Sequence, residues 1–185
     1  QQLPQCDRII PDKEYIYFTT YPDCKLWKYD STKEWNMKKE NPKEVYCAYE
    51  YGEQDRGVTS LHIKEKNIIA IGTVPKYSLH GGALVLFNTE TQEGMTFYNI
   101  SKNQSITALA YKDEILYIGT HIAGGHGVLP ITKIPQIIAM SIKNYEIIWS
   151  KDINLNINGI TQLIFSNDSA DILGLGDGYL FSFDI

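Results

Sequence analysis

The chain has 185 residues, 43% apolar and 21% charged, with a formal net charge of -5. That is long enough for one domain with a substantial core, and too apolar for a disordered chain. Lysines alternate with acids in runs such as KKENPKE (38–44) and no basic stripe forms, so no nucleic-acid partner is expected; no window reaches the eighteen or so apolar residues of a membrane-spanning helix, so no membrane insertion is expected either.

The amino end, QQLPQCDRII, lacks the basic-then-apolar order of a signal peptide, and its abrupt start fits removal of a leader or of a larger upstream region. The three cysteines, Cys6, Cys24 and Cys47, all fall in the first quarter. They are too few for a disulfide framework and contain no CxxC. One pair in an oxidising compartment, or three free thiols, are the two readings left open.

In chain order, EYIYFTT (14–20), KLWKYD (25–30) and KEVYCAY (43–49) read as strands, with STKEW as the turn before the last. Upstream of them a first strand is not convincing, although CDRII could supply one. Tyr15, Tyr17, Trp27 and Tyr29 alternate on two adjacent strands, which predicts one shared aromatic face. Three similar segments follow. VTSLHIKEKNIIAIGT (58–73), ITALAYKDEILYIGT (106–120) and ITQLIFSNDSADILGLGDG (160–178) each run from a β-branched residue and Thr to Leu, a short strand, a polar turn and an apolar strand ending near glycine. The anchoring threonines are Thr59, Thr107 and Thr161.

Further apolar strands come after each anchor: ALVLFN (83–88), QIIAMSI (136–142) and YLFSFDI (179–185), then MTFYNI (95–100) and IIWSKDI (147–153) in the first two. Four short antiparallel strands in about 50 residues match the size of a propeller blade. The expectation is therefore an all-β fold, an antiparallel β-propeller segment of about three and a half to four blades, with repeats near 1–54, 55–103, 104–157 and an incomplete 158–185. A β-sandwich explains short strands equally well but not the recurring Thr-x-Leu and strand-glycine signals. Open apolar faces at the two ends of such an arc predict self-association.

The second and third strands of two repeats are joined by long loops, VPKYSLHGG (74–82) and HIAGGHGVLPITKIP (121–135), each leaving a strand through Gly-Thr. In the last repeat the same connection shrinks to GLGDG, a minimal hairpin turn, so the fold does not need the long version. Loops projecting from one face of neighbouring blades would bring His80, His121 and His126 near Tyr77 and Lys76. These histidines are weak catalytic candidates; with Tyr77 and Tyr21 they are also the ligand-binding candidates. Neither loop carries an acid or an HExxH spacing, no metal site is expected, and no cofactor motif occurs. The triplets Asn99-Ile100-Ser101 and Asn167-Asp168-Ser169 meet the glycosylation rule, which carries meaning only in a secreted eukaryotic chain.

With Phe87-Asn88, Phe183-Asp184 and Tyr29-Asp30 closing strands, the pattern resembles bacterial propeller proteins with WD40-like or kelch-like blades, some of them large, extracellular and carbohydrate-associated. The Gly-His and Trp-Asp dipeptides of WD repeats are missing. The resemblance implies a noncatalytic binding module for a glycan or protein ligand, placed outside the cell or at its surface. Its alternatives are part of a polysaccharide-processing enzyme such as a lyase, and a purely structural propeller segment.

Overall fold

The structure is a computed structural model that describes residues 3–166 and 171–184. Its strands form four antiparallel sheets, each a meander in sequence order. The first contains β1 (Gln5–Asp12), β2 (Tyr15–Tyr21), β3 (Lys25–Asp30) and β4 (Lys43–Cys47); the second β5 (Gln54–Ile63), β6 (Ile68–Pro75), β7 (Ala83–Asn88) and β8 (Gly94–Tyr98). The third contains β9 (Ser105–Lys112), β10 (Ile115–His121), β11 (Gln136–Ser141) and β12 (Ile147–Asp152), and the fourth β13 (Gln162–Phe165), β14 (Ile172–Gly176) and β15 (Tyr179–Phe183). The first strands β1, β5, β9 and β13 pack side by side in that order, and no comparable packing brings β13 back to β1 among the described residues.

The second and third strands of the middle sheets, β6, β7, β10 and β11, are largely apolar because both of their faces are covered. Along β6 and β7, Ile69, Ile71, Val85 and Phe87 pack against Tyr17 and Leu26 of the first sheet, while Ile68, Ala70, Leu84 and Leu86 pack against Ile118, Ile138 and Met140 of the third. The third sheet repeats the division, sending Tyr117, Ile137 and Ala139 toward Leu163 and Ile172 of the fourth. Strict period-two alternation thus splits one apolar run between two interfaces, so a one-residue slip would exchange them.

The Gly-Thr pair near the end of the second strand has a separate cause for each residue. A Cβ on Gly72 would lie 2.6 Å from Ile106 Cγ2, and one on Gly119 would lie 2.9 Å from Ile160 Cγ2, so glycine lets the next sheet's leading segment close in. The threonine is buried and holds a glutamine. Thr73 Oγ1 donates to Gln54 Oε1 at 2.5 Å and accepts from Ala83 N at 2.7 Å; Thr120 Oγ1 donates to Gln104 Oε1 at 2.5 Å and accepts from Gln136 N at 2.7 Å. Each network ties the first three strands of its sheet at the end from which the long loops leave.

Several expectations change. A first strand does precede EYIYFTT: β1 pairs with β2 from Gln5↔Tyr21 to Asp12↔Tyr15. Only Ile10 of that strand is buried, which is why it carries no apolar signature. The four aromatics do not share one face, because Tyr17 pairs with Lys28 and Phe18 with Trp27. Tyr15 and Tyr17 lie under the Lys28 ammonium, and Trp27 stacks on Phe18 on the other side. The Thr-x-Leu anchors also differ in register. Leu61 pairs with Ala70 and faces the third sheet, whereas Leu109 and Leu163 pair with Ile118 and Gly174 and face the sheet before their own. Two bulges in the β5–β6 ladder against one in β9–β10 account for the offset.

Candidate functional site

The two long loops meet as neighbours. Ser78 N donates to His126 O at 3.1 Å, and Gly125 N to Leu79 O at 2.8 Å. A Cβ on Gly125 would sit 1.9 Å from Lys76 O, and Gly127, at φ +79°, lies against the Tyr77 ring, so the glycines of the second loop are what let it seat on the first. The β2–β3 connection of the first sheet completes a cleft of about 700 Å³, lined by Tyr21, Asp55, Arg56, Tyr77, His126 and the backbone of 123–128.

Three of the five expected ligand-binding residues, Tyr21, Tyr77 and His126, come together there. The Tyr77 and His126 rings are 5.7 Å apart at 51°, and Tyr77 is 61% exposed while Tyr21 is 39% exposed. His80 and His121 are elsewhere. His80 Nε2 bonds the carbonyl of Leu129 at 2.9 Å, which closes the far end of the second loop. His121 Nδ1 accepts from Ala123 N at 2.9 Å, its ring lies over Gly159 of the next repeat, and burial pulls its pKa below the ordinary histidine value against the opposing pull of Asp177. Both fasten irregular backbone. The expected gathering of the three histidines therefore does not occur, and among the described residues no three of His, Cys, Asp or Glu are placed to hold a metal ion.

The polar floor of the cleft was missed in the sequence. Arg56 places its guanidinium 4.7 Å from the Tyr21 ring centroid, and its Nη2 lies 3.5 Å from Asp7 Oδ1. Burial raises the Asp7 pKa, and the charges of Arg56 and then Arg8 oppose that rise. Arg56 Nε and Asp7 Oδ2 are buried without a hydrogen-bond partner. Asp55 Oδ1 accepts from Asp23 N at 3.4 Å. The only sequence signal was the charged pair Asp55-Arg56 set inside a strand immediately before Gly57. Two aromatic platforms flanking a fixed acid and a fixed guanidinium can stack on a ring and bond its hydroxyls from the same side.

The cysteines are all free. Burial pushes up the pKa of each, most strongly at Cys24, so none has the lowered value of a reactive thiolate. Ser101 of the first glycosylation triplet is buried and donates to Gln136 Oε1, and Asn99 Oδ1 accepts from Asn103 N within its turn. The second triplet lies outside the described residues.

No family model matches the sequence, and no curated protein is significantly similar to it. Solved structures do share its fold. The computationally designed Ika4 protein is 13% identical with a TM-score of 0.61, covering 100% of this chain and 94% of that one. The Dos1 propeller is 12% identical with a TM-score of 0.65, covering 97% of this chain and 44% of that one. The extracellular domain of the hybrid two component system BT4673 of B. thetaiotaomicron is 13% identical with a TM-score of 0.59, covering 92% and 19%. This chain spans less than half the length of the latter two. At these identities the likeness is one of fold, an all-β array of blade-like sheets.

Proposed function

We propose that this chain is a noncatalytic binding module, an arc of a β-propeller whose loop face takes a glycan. The observation that carries the reading is the cleft itself: three connections from three successive sheets converge on it, and they bring aromatic rings together over Arg56 and Asp55. Nothing in the packing of the sheets requires the long loops, since the fourth sheet makes the same connection with the two-residue turn Asp177-Gly178, both at positive φ. The fold hosts many activities, so the reading rests on the cleft. Its likeness to an extracellular domain supports a place outside the cell or on its surface.

Probing a glycan array with the tagged chain, then measuring the best binders by calorimetry, tests this. Stacking on Tyr77 is worth about 1 kcal/mol beyond its area, so Tyr77→Ala is expected to weaken binding at least about fivefold, and Arg56→Gln by a similar factor. Binding that survives both changes would remove the cleft from the account. The nearness of Tyr77 to His126 favours a second reading, a polysaccharide lyase in which one group removes a proton and the other returns one. Depolymerisation of a bound polysaccharide, lost in His126→Ala, would replace the first reading with this one.

A further inference from the structure

A second pocket, of about 330 Å³, opens between the first and second sheets, at the end of the strands away from the long loops. Its lining is strongly charged: Lys28, Lys33, Lys39 and Lys43 stand around it with Asp30 and Glu40. In a chain of net charge -5, that is an excess of two positive charges in one place. Lys33 is engaged by Asp30 at 2.6 Å. Among the described residues no carboxylate lies within ion-pair distance of Lys28, Lys39 or Lys43.

Lys28 is the residue out of place. In the first three sheets the second and third strands start their pairing at Tyr15↔Asp30, Ile68↔Asn88 and Ile115↔Ser141, and two residues further in stand Tyr17↔Lys28, Ala70↔Leu86 and Tyr117↔Ala139. Tyr17, Ala70 and Tyr117 all face the following sheet, so lysine occupies an inter-sheet position that buried Leu86 and Ala139 fill in the next two repeats. The turn that closes the groove from the following sheet differs as well. Gln92 and Tyr145 hold the same left-handed position, at φ +62° and +61°, and donate their N–H to Asn88 O and Ser141 O respectively. Tyr145 packs on the apolar cluster that contains Leu86. Gln92 sends its Nε2 to Tyr17 Oη at 3.2 Å and leaves its Oε1 buried without a partner. Both positions are thus polar in this groove and apolar in the next one.

A lysine half-buried between sheets loses hydration, and no carboxylate replaces it. The Tyr15 ring, its centroid 3.8 Å from the ammonium, and the Tyr17 ring at 5.8 Å fix Lys28 from one side only. Burial, and then the Lys43 charge, pull its pKa below the ordinary lysine value against Asp12, Asp30 and Glu14, so those acids do not make up for what the ammonium loses. The loop bearing Lys33 and Lys39 is held in place by buried Asn41, whose Nδ2 donates to Asp30 O and Glu34 O, each at 3.0 Å, while its Oδ1 accepts from Asp30 N at 2.8 Å.

We propose that this pocket binds a phosphate group, whose oxygens are taken by Lys28, Lys39 and Lys43. A phosphate ester carries close to two negative charges at neutral pH and three acceptor oxygens. Those match the excess of two positive charges and the three unengaged ammonium groups, whereas a planar carboxylate brings one charge and suits the fork of an arginine. The space is enough for a small molecule that carries the phosphate. The pocket and the glycan cleft lie at opposite ends of the sheets, so either assignment can fail without the other.

Titrating the nitrogen-15-labelled chain with inorganic phosphate and with glucose 6-phosphate, at neutral pH and low ionic strength, tests it. Saturable amide shifts are expected at Tyr15, Lys28, residues 39–43 and Gln92, with Tyr77 and residues 123–128 unmoved. Tighter binding of the ester assigns the pocket to phosphorylated molecules; equal binding of the two assigns it to free phosphate. Lys28→Leu gives this position the residue type of the next repeat. It is expected to weaken binding about tenfold or more and to raise the urea midpoint, since the groove gains an aliphatic contact and loses a poorly compensated charge. Lys43→Gln, at an exposed position, is expected to weaken binding about fivefold and leave the midpoint unchanged. Lys102→Gln removes the same charge from an exposed position outside the pocket and leaves binding as it was. Absence of saturable shifts with either probe, shifts gathered elsewhere, binding intact in Lys28→Leu, or equal weakening in Lys102→Gln and Lys43→Gln would overturn the proposal.

Discussion

Replacing Thr73 by valine removes one oxygen and keeps the shape. That oxygen is the partner of Gln54 Oε1 and of Ala83 N, and Thr73 and Gln54 are both fully buried, so neither orphaned group can turn to water. Each of the two buried groups left without a partner costs about 1–3 kcal/mol, and the added methyl returns about 0.8 kcal/mol, for a net loss of about 1–5 kcal/mol. In a domain of this size that lowers Tm by roughly 2–20 °C. Thr161 is the control. Its hydroxyl donates to Leu175 O at 3.0 Å but the residue is exposed, and Thr161→Val should stay within about 0.5 kcal/mol of the parent. Urea titration followed by tryptophan fluorescence reads both variants. A midpoint shift worth less than about 1 kcal/mol for Thr73→Val, or equal losses at the two positions, would show that the buried Gln-Thr bond does not hold the sheet together.

Two further substitutions probe the repeat. Gly72→Ala puts a methyl 2.7 Å from the Ile106 carbonyl oxygen, a backbone atom, whereas at Gly119 the nearest atoms are side-chain carbons at 2.9–3.0 Å. Gly72→Ala should therefore destabilise by about 1–3 kcal/mol and Gly119→Ala by less, and the same urea midpoints check the order. His121 sets a pH dependence. Its folded pKa lies below the 6.5 of the unfolded chain because burial disfavours the charged ring. As pH falls below 6.5 the unfolded chain gains a proton that the folded one refuses, so this residue's contribution is present at neutral pH and is lost on acidification. Plotted against pH from 7.5 to 5, the stability difference between the parent and His121→Gln should narrow toward the acid end; a constant difference would contradict it.

Much of the architecture was legible because sheets covered on both faces are written as unbroken apolar runs, and ALVLFN and IIAI can be little else. What was not legible followed from register. Whether Trp27 stands beside Tyr17 or beside Phe18 depends on which residue of β2 faces which residue of β3, and alternation alone cannot set that offset. Bulges shifted Leu61 to the opposite face from Leu109 for the same reason, although the two read alike in sequence. β1 was obscured because its exposed residues carry no pattern and its single buried side chain, Ile10, gives no period.

The cleft was half visible. Loop length and glycine content singled out two of the three connections that line it, and Tyr21, Tyr77 and His126 do meet there. His80 and His121 were drawn away by backbone that needed partners, the usual demand of irregular chain. Gln54 and Gln104 passed unnoticed because a polar residue ahead of a strand looks like loop. Only the pairing with Thr73 and Thr120 reveals them as core.

The most direct test of the binding account is to label the backbone amides with nitrogen-15, add a glycan identified on the array, and follow which amide resonances move. The account predicts shifts clustered on Tyr21, Asp55, Arg56, Tyr77 and residues 123–128, with Leu129 and the distant turn at 89–93 unmoved, and the whole set abolished in Tyr77→Ala. Shifts gathered on any other surface, with the cleft silent, would contradict it.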